Sequence, residues 1–219
     1  MKKIIAINII CILLCMFVQN QKELPVMASL PLEKIEVVID AGHGGLDNGA
    51  ISGGKNEDDL NLKIAMQLKT SLESQGAIVY LTRDGDYDMT KRDYLYSKQD
   101  DMYLRVKEID QYEADFLISI HLNASVSTSV WGSQVFYYNH SAEGKILANS
   151  IHQKMLSVTG SRKSISGSNF KVLKDTQTLG VLIECGFITN PNERGQLSSS
   201  SYHQKLAQTI TEGLIEYIH

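Results

Sequence analysis

Between residue 35 and the C-terminus, short apolar runs alternate with stretches whose apolar residues recur at helical spacing. The clearest apolar runs are residues 35–39, 116–120 and 181–185. Strands that are apolar on both faces are typical of sheets covered by helices on both sides. The pattern therefore predicts a single α/β domain with a twisted, mostly parallel or mixed sheet and helices on both faces.

The remaining elements follow from the same periodicities. Asn56 is predicted to cap a first helix that Gly76 ends, and Ser201 and Gln204 are predicted to form a capping box at the last helix. Residues 84–100 and 159–169 are polar and are predicted to be loops. Further strands are predicted at 77–82, at 134–138 and, as a short edge strand, at 170–173, and further helices at 102–112 and 142–157.

The N-terminus resembles a secretion signal. Lys2 and Lys3 precede an apolar run that ends at residue 18, which is too short for a comfortable membrane span of about 20 residues. Residues 1–28 are therefore predicted to be a signal peptide cleaved after Ala28, or an uncut N-terminal anchor. The catalytic domain is predicted to span 33–218.

Cysteine content and charge limit the compartment and the partners. Cys11 and Cys15 lie in the N-terminal apolar run, so Cys185 has no partner for a disulfide within the exported domain. An exported domain without disulfides favours a bacterial cell envelope, most simply a Gram-positive one. The net charge of −4 argues against nucleic acid as a partner, and membrane contact is expected only through the N-terminal segment.

Three chemically distinctive residues follow predicted strands. His43 follows the first strand within a run of glycines, His121 follows residues 116–120, and Glu184 ends the apolar run at 181–183. Ligands of such sheets bind outside the carboxyl ends of the strands, so these side chains are expected at one edge. The glycines around His43 allow a tight turn close to a bound ion.

Glu57 is the fourth candidate, at the start of the first helix. It shares a helix face with Leu60, Ile64 and Leu68, which points at the sheet. A carboxylate on such a face is costly unless a partner satisfies it. Two imidazoles and one carboxylate form a common catalytic zinc site with a position open for water.

Each candidate also has a structural interpretation. His43 could bond to its own turn, His121 could make a core contact at a strand end, and Glu57 could complement the helix dipole. Glu184 is harder to explain structurally, because apolar residues flank it and an unpaired carboxylate there is expensive.

Other polar residues carry weaker signals. Cys185 is interpreted as a packing residue, and 84–88 resembles the start of a calcium loop that lacks two of its required positions. Four histidines lie among polar residues and are expected to face solvent: His140, His152, His203 and His219.

At these residues the sequence resembles a known family, the zinc-dependent N-acetylmuramoyl-L-alanine amidases of the Amidase_3 family. The resemblance rests on Glu57 and on four segments in the family's order and spacing. These segments are residues 38–45 (VIDAGHGG), 82–83 (TR), 118–124 (ISIHLNA) and 182–191 (LIECGFITNP).

The resemblance implies zinc ligands at His43, Glu57 and His121 and a catalytic glutamate at Glu184. The implied substrate is the amide between N-acetylmuramic acid and L-alanine in peptidoglycan. The chain looks most similar to the germination-specific spore-cortex subtype. In that subtype, removal of the peptide precedes the action of a partner deacetylase and the formation of muramic-δ-lactam. The resemblance is also compatible with an activating partner protein.

Several points stay open at this stage. Ala41 stands where many family members have proline, and the segment before Phe170 looks too short and polar for the inhibitory helix of some relatives. Arg83 and Asn123 fit a site role or a structural role equally, and the Tyr-rich residues 87–103 are expected to edge the substrate groove. Two rival functions remain: another zinc hydrolase such as a sugar N-deacetylase, and a non-catalytic glycan-binding or partner-recruiting module.

Overall fold

The computed structural model describes residues 29–90 and 97–219. The strands are β1 (Glu36–Ala41), β2 (Ile51–Ser52), β3 (Lys55–Asn56), β4 (Ile78–Leu81), β5 (Phe116–Asn123), β6 (Gln134–Tyr138), β7 (Ser166–Ser168) and β8 (Leu179–Phe187). The helices are α1 (Glu57–Ser74), α2 (Lys98–Gln111), α3 (Ala142–Thr159), α4 (Lys171–Lys174), α5 (Pro191–Leu197) and α6 (Ser200–Ile218).

Six of the strands form one mixed sheet in the order β4-β1-β5-β8-β6-β7. Strands β4, β1, β5 and β8 are parallel to one another, whereas β6 pairs antiparallel with β8. The carboxyl ends of β1, β5 and β8 therefore lie at the same edge of the sheet. His121 on β5 is directly opposite Glu184 on β8.

Helices cover both faces of this sheet, which confirms the predicted fold class. On one face α6 packs against α1 and α3, and their apolar residues form the larger core with one side of β1, β5 and β8. On the other face, residues of α2 and α4 pack in a smaller core against Val38, Leu117 and Leu182 of the same strands. The apolar runs are continuous because alternate residues enter different cores.

The first helix shows how the local sequence produces this packing. Leu60, Ile64, Leu68 and Leu72 are fully or almost fully buried, and they recur at helical spacing on the face turned to the sheet. Glu57 lies at the top of the same face and is also buried, as predicted. The stripe thus brings a carboxylate to the edge where the parallel strands end.

The predicted caps of two helices are not formed. Asn56 occupies the N-cap position of α1, but its side chain donates to Asn48 instead of accepting a cap hydrogen bond. The last helix begins at Ser200 rather than Ser201, and the N-cap residue Ser199 makes no side-chain cap hydrogen bond. At α1 the carbonyls of Ala50 and Asn48 accept from the first two amides of the helix, and at α6 the carbonyl of Ser199 accepts from the amide of Tyr202.

The region before β8 also differs from the prediction. Residues 170–173, predicted as an edge strand, mostly belong to the short helix α4, in which Val172 and Leu173 are both buried. A strand would direct these two neighbours to opposite faces. The edge strand is instead β7, inside the predicted loop 159–169, and its Ser-Gly-Ser sequence gave no strand signal.

Two helices differ from the prediction: one begins earlier, and one was not predicted. Helix α2 begins at Lys98, within the predicted loop, because Ser97 accepts a cap hydrogen bond from the amide of Asp100. Helix α5 was not predicted, although Asn190 caps it and Pro191 is its first residue.

None of the helices in residues 29–90 and 97–219 is long and apolar enough to cross a membrane. The predicted signal or anchor, residues 1–28, lies outside the described residues.

Candidate active site

The loop after β1 brings His43 to the edge of the sheet. His43 has a φ of 62°, in the left-handed region, and Gly44 and Gly45 follow it with positive φ values. The preceding Gly42 is required by space, because a Cβ atom there would lie 2.2 Å from the ring of His121. This glycine therefore allows the two imidazoles to approach one another.

Glu57 lies between the two histidines. Its Oε1 is 3.3 Å from Nε2 of His43 and 3.1 Å from Nδ1 of His121. The backbone amides of Leu122 and Ala50 donate to Oε1 and Oε2 at 3.1 and 2.9 Å. The carboxylate is therefore held from several sides, with its oxygen directed at both rings.

The three side chains form a compact group of potential metal ligands. One donor atom from each of His43, Glu57 and His121 lies within 4.8 Å of the others, and the ring centroids of the histidines are 5.0 Å apart. Within residues 29–90 and 97–219, no other group of three such residues comes together in this way. The structure thus brings together the three residues that the sequence analysis singled out as ligands.

The charges in this group favour a cation. Burial alone would lower the pKa of His43, but hydrogen bonds and charge from Glu57 and Asp47 raise it to about 9. Burial alone would raise the pKa of Glu57, but the two histidines lower it well below its usual range. Without metal, the site therefore holds a proton that a divalent cation would displace.

Glu184 lies beside this group but is held differently. It is opposite His121 in the sheet, and its Oε2 is buried without a hydrogen-bond partner. Burial, with a smaller contribution from the charge of Glu57, raises the pKa of Glu184 to about 7, although both histidines oppose the shift. A carboxyl group in this state can accept or release a proton near neutral pH.

A cavity of about 690 Å³ opens over these four residues. Lys98, Gln99 and Met102 of α2 line one side, and Phe170 and Val172 line another. Part of the predicted groove edge is thus present in α2, while residues 91–96 lie outside the described residues. Residues 160–169 contain β7 and no helix, and none of them is among the residues that line the cavity.

Arg83 takes a structural position. Its side chain is 1% exposed and donates to the backbone carbonyls of Ala41, Gly42 and Asp58. It therefore braces the His43 loop from within. Asn123 lies in the wall of the cavity, and its Oδ1 accepts from the amide of Ala124.

A second brace lies under this loop and was not predicted from the sequence. Arg105 donates to Oδ1 of Asp40 at 2.7 Å and to the carbonyl of His43 at 3.0 Å. Ser119 and Thr82 also donate to Asp40. Burial opposes ionisation of Asp40, but the charges of Arg105 and His121 and the hydroxyl of Ser119 lower its pKa to about 2. The signal in the sequence was Asp40, a charged residue in an otherwise apolar strand.

Two of the four histidines expected at the surface are buried. His152 and His203 are each 4% exposed, and their Nε2 atoms bond to the carbonyls of Lys163 and Leu197. The prediction was wrong for these two because such carbonyl partners give no local signal. His140 and His219 are exposed, as predicted.

The remaining candidates have other contacts. Cys185 is fully buried in the larger core, which fits a packing residue. In the segment 84–88, Asp84 accepts from the hydroxyl of Tyr87 and Asp86 accepts from the amide of Gly45. These carboxylates stabilise the loop beside His43.

Comparison with known proteins places this geometry in a family. The Amidase_3 model, described as N-acetylmuramoyl-L-alanine amidase, matches residues 37–216. The chain belongs to this family. The predicted family membership is confirmed, and the chain is an N-acetylmuramoyl-L-alanine amidase.

Individual relatives agree with this assignment. The germination-specific N-acetylmuramoyl-L-alanine amidase of Bacillus subtilis is 36% identical over 196 residues, covering 86% of this chain and 82% of that protein. The amidase LytC of the same organism is 34% identical over 91% of this chain, which spans 38% of LytC. The CwlD amidase of Clostridioides difficile, solved in complex with the GerS lipoprotein, superposes with a TM-score of 0.78 at 31% identity, covering 84% of this chain and 98% of that chain.

The residues present fit a zinc ion. Two imidazole nitrogens and one carboxylate oxygen are a common donor set of catalytic zinc, which leaves a position open to the cavity. The unpartnered Oε2 of Glu184 lies at the same edge, where a polar group would satisfy it.

Proposed function

We propose that this amidase hydrolyses the bond between the lactyl group of N-acetylmuramic acid and L-alanine in peptidoglycan, using one Zn²⁺. His43, Glu57 and His121 would hold the ion, and Glu184 would move the proton. The observation that carries the proposal is the convergence of these three ligands beside a buried, unpartnered carboxyl group.

When bound, the ion would supply Lewis acidity toward the amide carbonyl and toward a water molecule. Glu184 would take a proton from the attacking water and transfer it to the nitrogen of L-alanine. The carbon–nitrogen bond breaks, and the products are a lactyl carboxylate and a free peptide amine. The pKa of Glu184, raised by burial to about 7, suits both halves of this transfer.

The surroundings of the other residues support the division of roles. Glu57 has donors on both oxygens, so it is suited to hold position and not to exchange protons. The loop carbonyls of Ala41, Gly42 and His43 are fixed by Arg83 and Arg105. This framework would keep the ligands in place during turnover.

The relatives suggest a role in spores. The Bacillus subtilis relative is named as germination-specific, and this chain covers 82% of its length. We infer a role in spore-cortex maturation, in which removal of the peptide precedes deacetylation by a partner enzyme and formation of muramic-δ-lactam. Residues 1–28 would act as a signal peptide or anchor, so that action is extracytoplasmic in a Gram-positive cell.

An activating partner is part of the same proposal. The Clostridioides difficile CwlD amidase was solved with a lipoprotein bound. By analogy, this chain would work with an envelope partner, while 33–218 would be its catalytic domain.

Incubation of the zinc-loaded protein with purified peptidoglycan, followed by mass spectrometry, tests the proposal. Free stem peptides and glycans with exposed lactyl carboxyls are expected, and a chelator should abolish their release until zinc is restored. Released acetate without peptide would assign a sugar N-deacetylase instead. Binding to peptidoglycan without any turnover, with or without zinc, would indicate a non-catalytic module.

A further inference from the structure

Asp47 lies in the turn that follows His43, where the backbone fixes it. The amide of Asp47 donates to the carbonyl of Gly44 at 3.1 Å, and the amide of Gly44 donates to the carbonyl of Asp47 at 2.9 Å. Its Oδ1 accepts from the amide of Gly49 at 3.1 Å. The position of the carboxylate is therefore set by the turn itself.

The second oxygen of this carboxylate faces the imidazole of His43. Oδ2 of Asp47 is 2.9 Å from Nδ1 of His43, while the Nε2 atom of the same ring faces Glu57. An ionised carboxylate only accepts hydrogen bonds, so Nδ1 carries the proton. When a metal ion displaces the proton that Nε2 holds in the metal-free site, the lone pair of Nε2 would be available to the ion.

His121 is oriented by a different means. Its Nδ1 atom faces Glu57, and its ring lies against the open space left by Gly42. Among the described residues, Glu57 is its ion-pair partner. Close packing therefore orients His121. His43, which has a left-handed backbone conformation, instead has the carboxylate of Asp47 beside its Nδ1 atom.

We propose that Asp47 is a positioning residue for the metal site: it holds His43 with Nδ1 protonated and Nε2 directed at the ion. This inference rests on the proposed zinc site. Lys98 is 3.8 Å from the same oxygen, but its side chain is 71% exposed, so it adds little to the orientation. Carboxylates that hold metal-binding histidines in this way tune the affinity of the site.

The test is the zinc dissociation constant, measured by competition with a chelator, for the wild type and three variants. Asp47→Asn keeps an acceptor for Gly49 but removes the charge, and it should weaken zinc binding by about 10- to 100-fold. Asp47→Glu should recover part of this loss. Asp59→Asn, which affects an exposed pair with Lys63, is the matched control and should leave zinc binding unchanged.

Two further readouts separate orientation from folding. The circular dichroism spectrum of metal-free Asp47→Asn should match that of the wild type, and its thermal midpoint should fall only by the loss of the pair with His43. In the zinc-loaded wild type, nitrogen NMR should show a protonated Nδ1 on His43, and this signal should shift or vanish in Asp47→Asn.

The outcomes distinguish the two proposals. If the wild type binds no zinc, the proposed function fails. If the wild type binds zinc and Asp47→Asn binds it equally well, the positioning role is overturned while the zinc site stands. A loss of affinity that Asp47→Glu does not recover, with an equal loss of metal-free stability, would make Asp47 a turn residue and also overturn the proposal.

Discussion

The two carboxyl groups beside the histidines come from a helix and from a strand, and their surroundings differ. On the α1 side, Glu57 accepts hydrogen bonds from two backbone amides, and its pKa is lowered. On the β8 side, Glu184 has a buried oxygen without a partner, and its pKa is raised to about 7. Glu57 is hydrogen-bonded and ionised, whereas Glu184 is available to accept a proton.

This difference supports the two chemical roles proposed for this edge of the sheet. A carboxylate surrounded by donors stays charged and fixed, as a metal ligand must be. A carboxyl group in a dry, unpartnered position changes protonation near neutral pH, as an acid–base group must. Asp40 is also buried, but it is ionised and paired with Arg105, so it has a structural role.

The largest expected effect is on turnover when the available carboxyl group is removed. Glu184→Gln keeps the shape of the side chain but cannot carry the proton, so kcat should fall by about 10²- to 10⁴-fold. Zinc affinity should change little, because Glu184 is not among the three ligands. Amide hydrolysis measured on peptidoglycan fragments at saturating zinc checks this, and unchanged turnover would remove the acid–base role.

A smaller effect is expected on stability when the buried pair is broken. Arg105→Met leaves Asp40 charged and uncompensated, which should lower the free energy of unfolding by about 3–5 kcal/mol. Urea denaturation of the metal-free protein measures this change. Lys63→Ala is the control, because its pair with Asp59 is exposed and should contribute less than about 1 kcal/mol. Equal effects of the two variants would show that the pair under the loop is not a brace.

A third prediction concerns the pH dependence of the metal-free protein. The folded pKa of Glu184, about 7, exceeds its ordinary value of 4.5, so the folded state binds the proton more tightly. The contribution of Glu184 to the free energy of unfolding should therefore fall as pH rises from about 4.5 to 7 and then level off. Glu184→Gln lacks this penalty and should be more stable than the wild type by roughly 3 kcal/mol at pH 8.

The two proteins should unfold with similar midpoints near pH 4, where Glu184 is protonated in both states. Thermal melts in the presence of a chelator at both pH values make the comparison. A variant that is less stable than the wild type at pH 8 would mean that Glu184 has a stabilising partner.

Much of the architecture was predictable because each feature has a local signal. The stripe of Leu60, Ile64 and Leu68 fixes which face of α1 meets the sheet, and so where Glu57 lies. The parallel strands place the residues that follow them at one edge, which brought His43 and His121 together.

Other features depend on contacts between distant residues and had no such signal. Arg105 and Asp40 are 65 residues apart along the chain, and they meet only because α2 packs on the smaller core. The β7 strand consists of serine and glycine, so its pairing with β6 determines its structure.

The most direct test of the account is the zinc content of two matched variants after gel filtration, determined by elemental analysis. Glu57→Gln and Glu184→Gln make the same chemical change on two different elements of the site. The account predicts that Glu184→Gln retains one zinc per chain, as the wild type does, and that Glu57→Gln loses most of it. Zinc retained by Glu57→Gln and lost by Glu184→Gln would contradict the account.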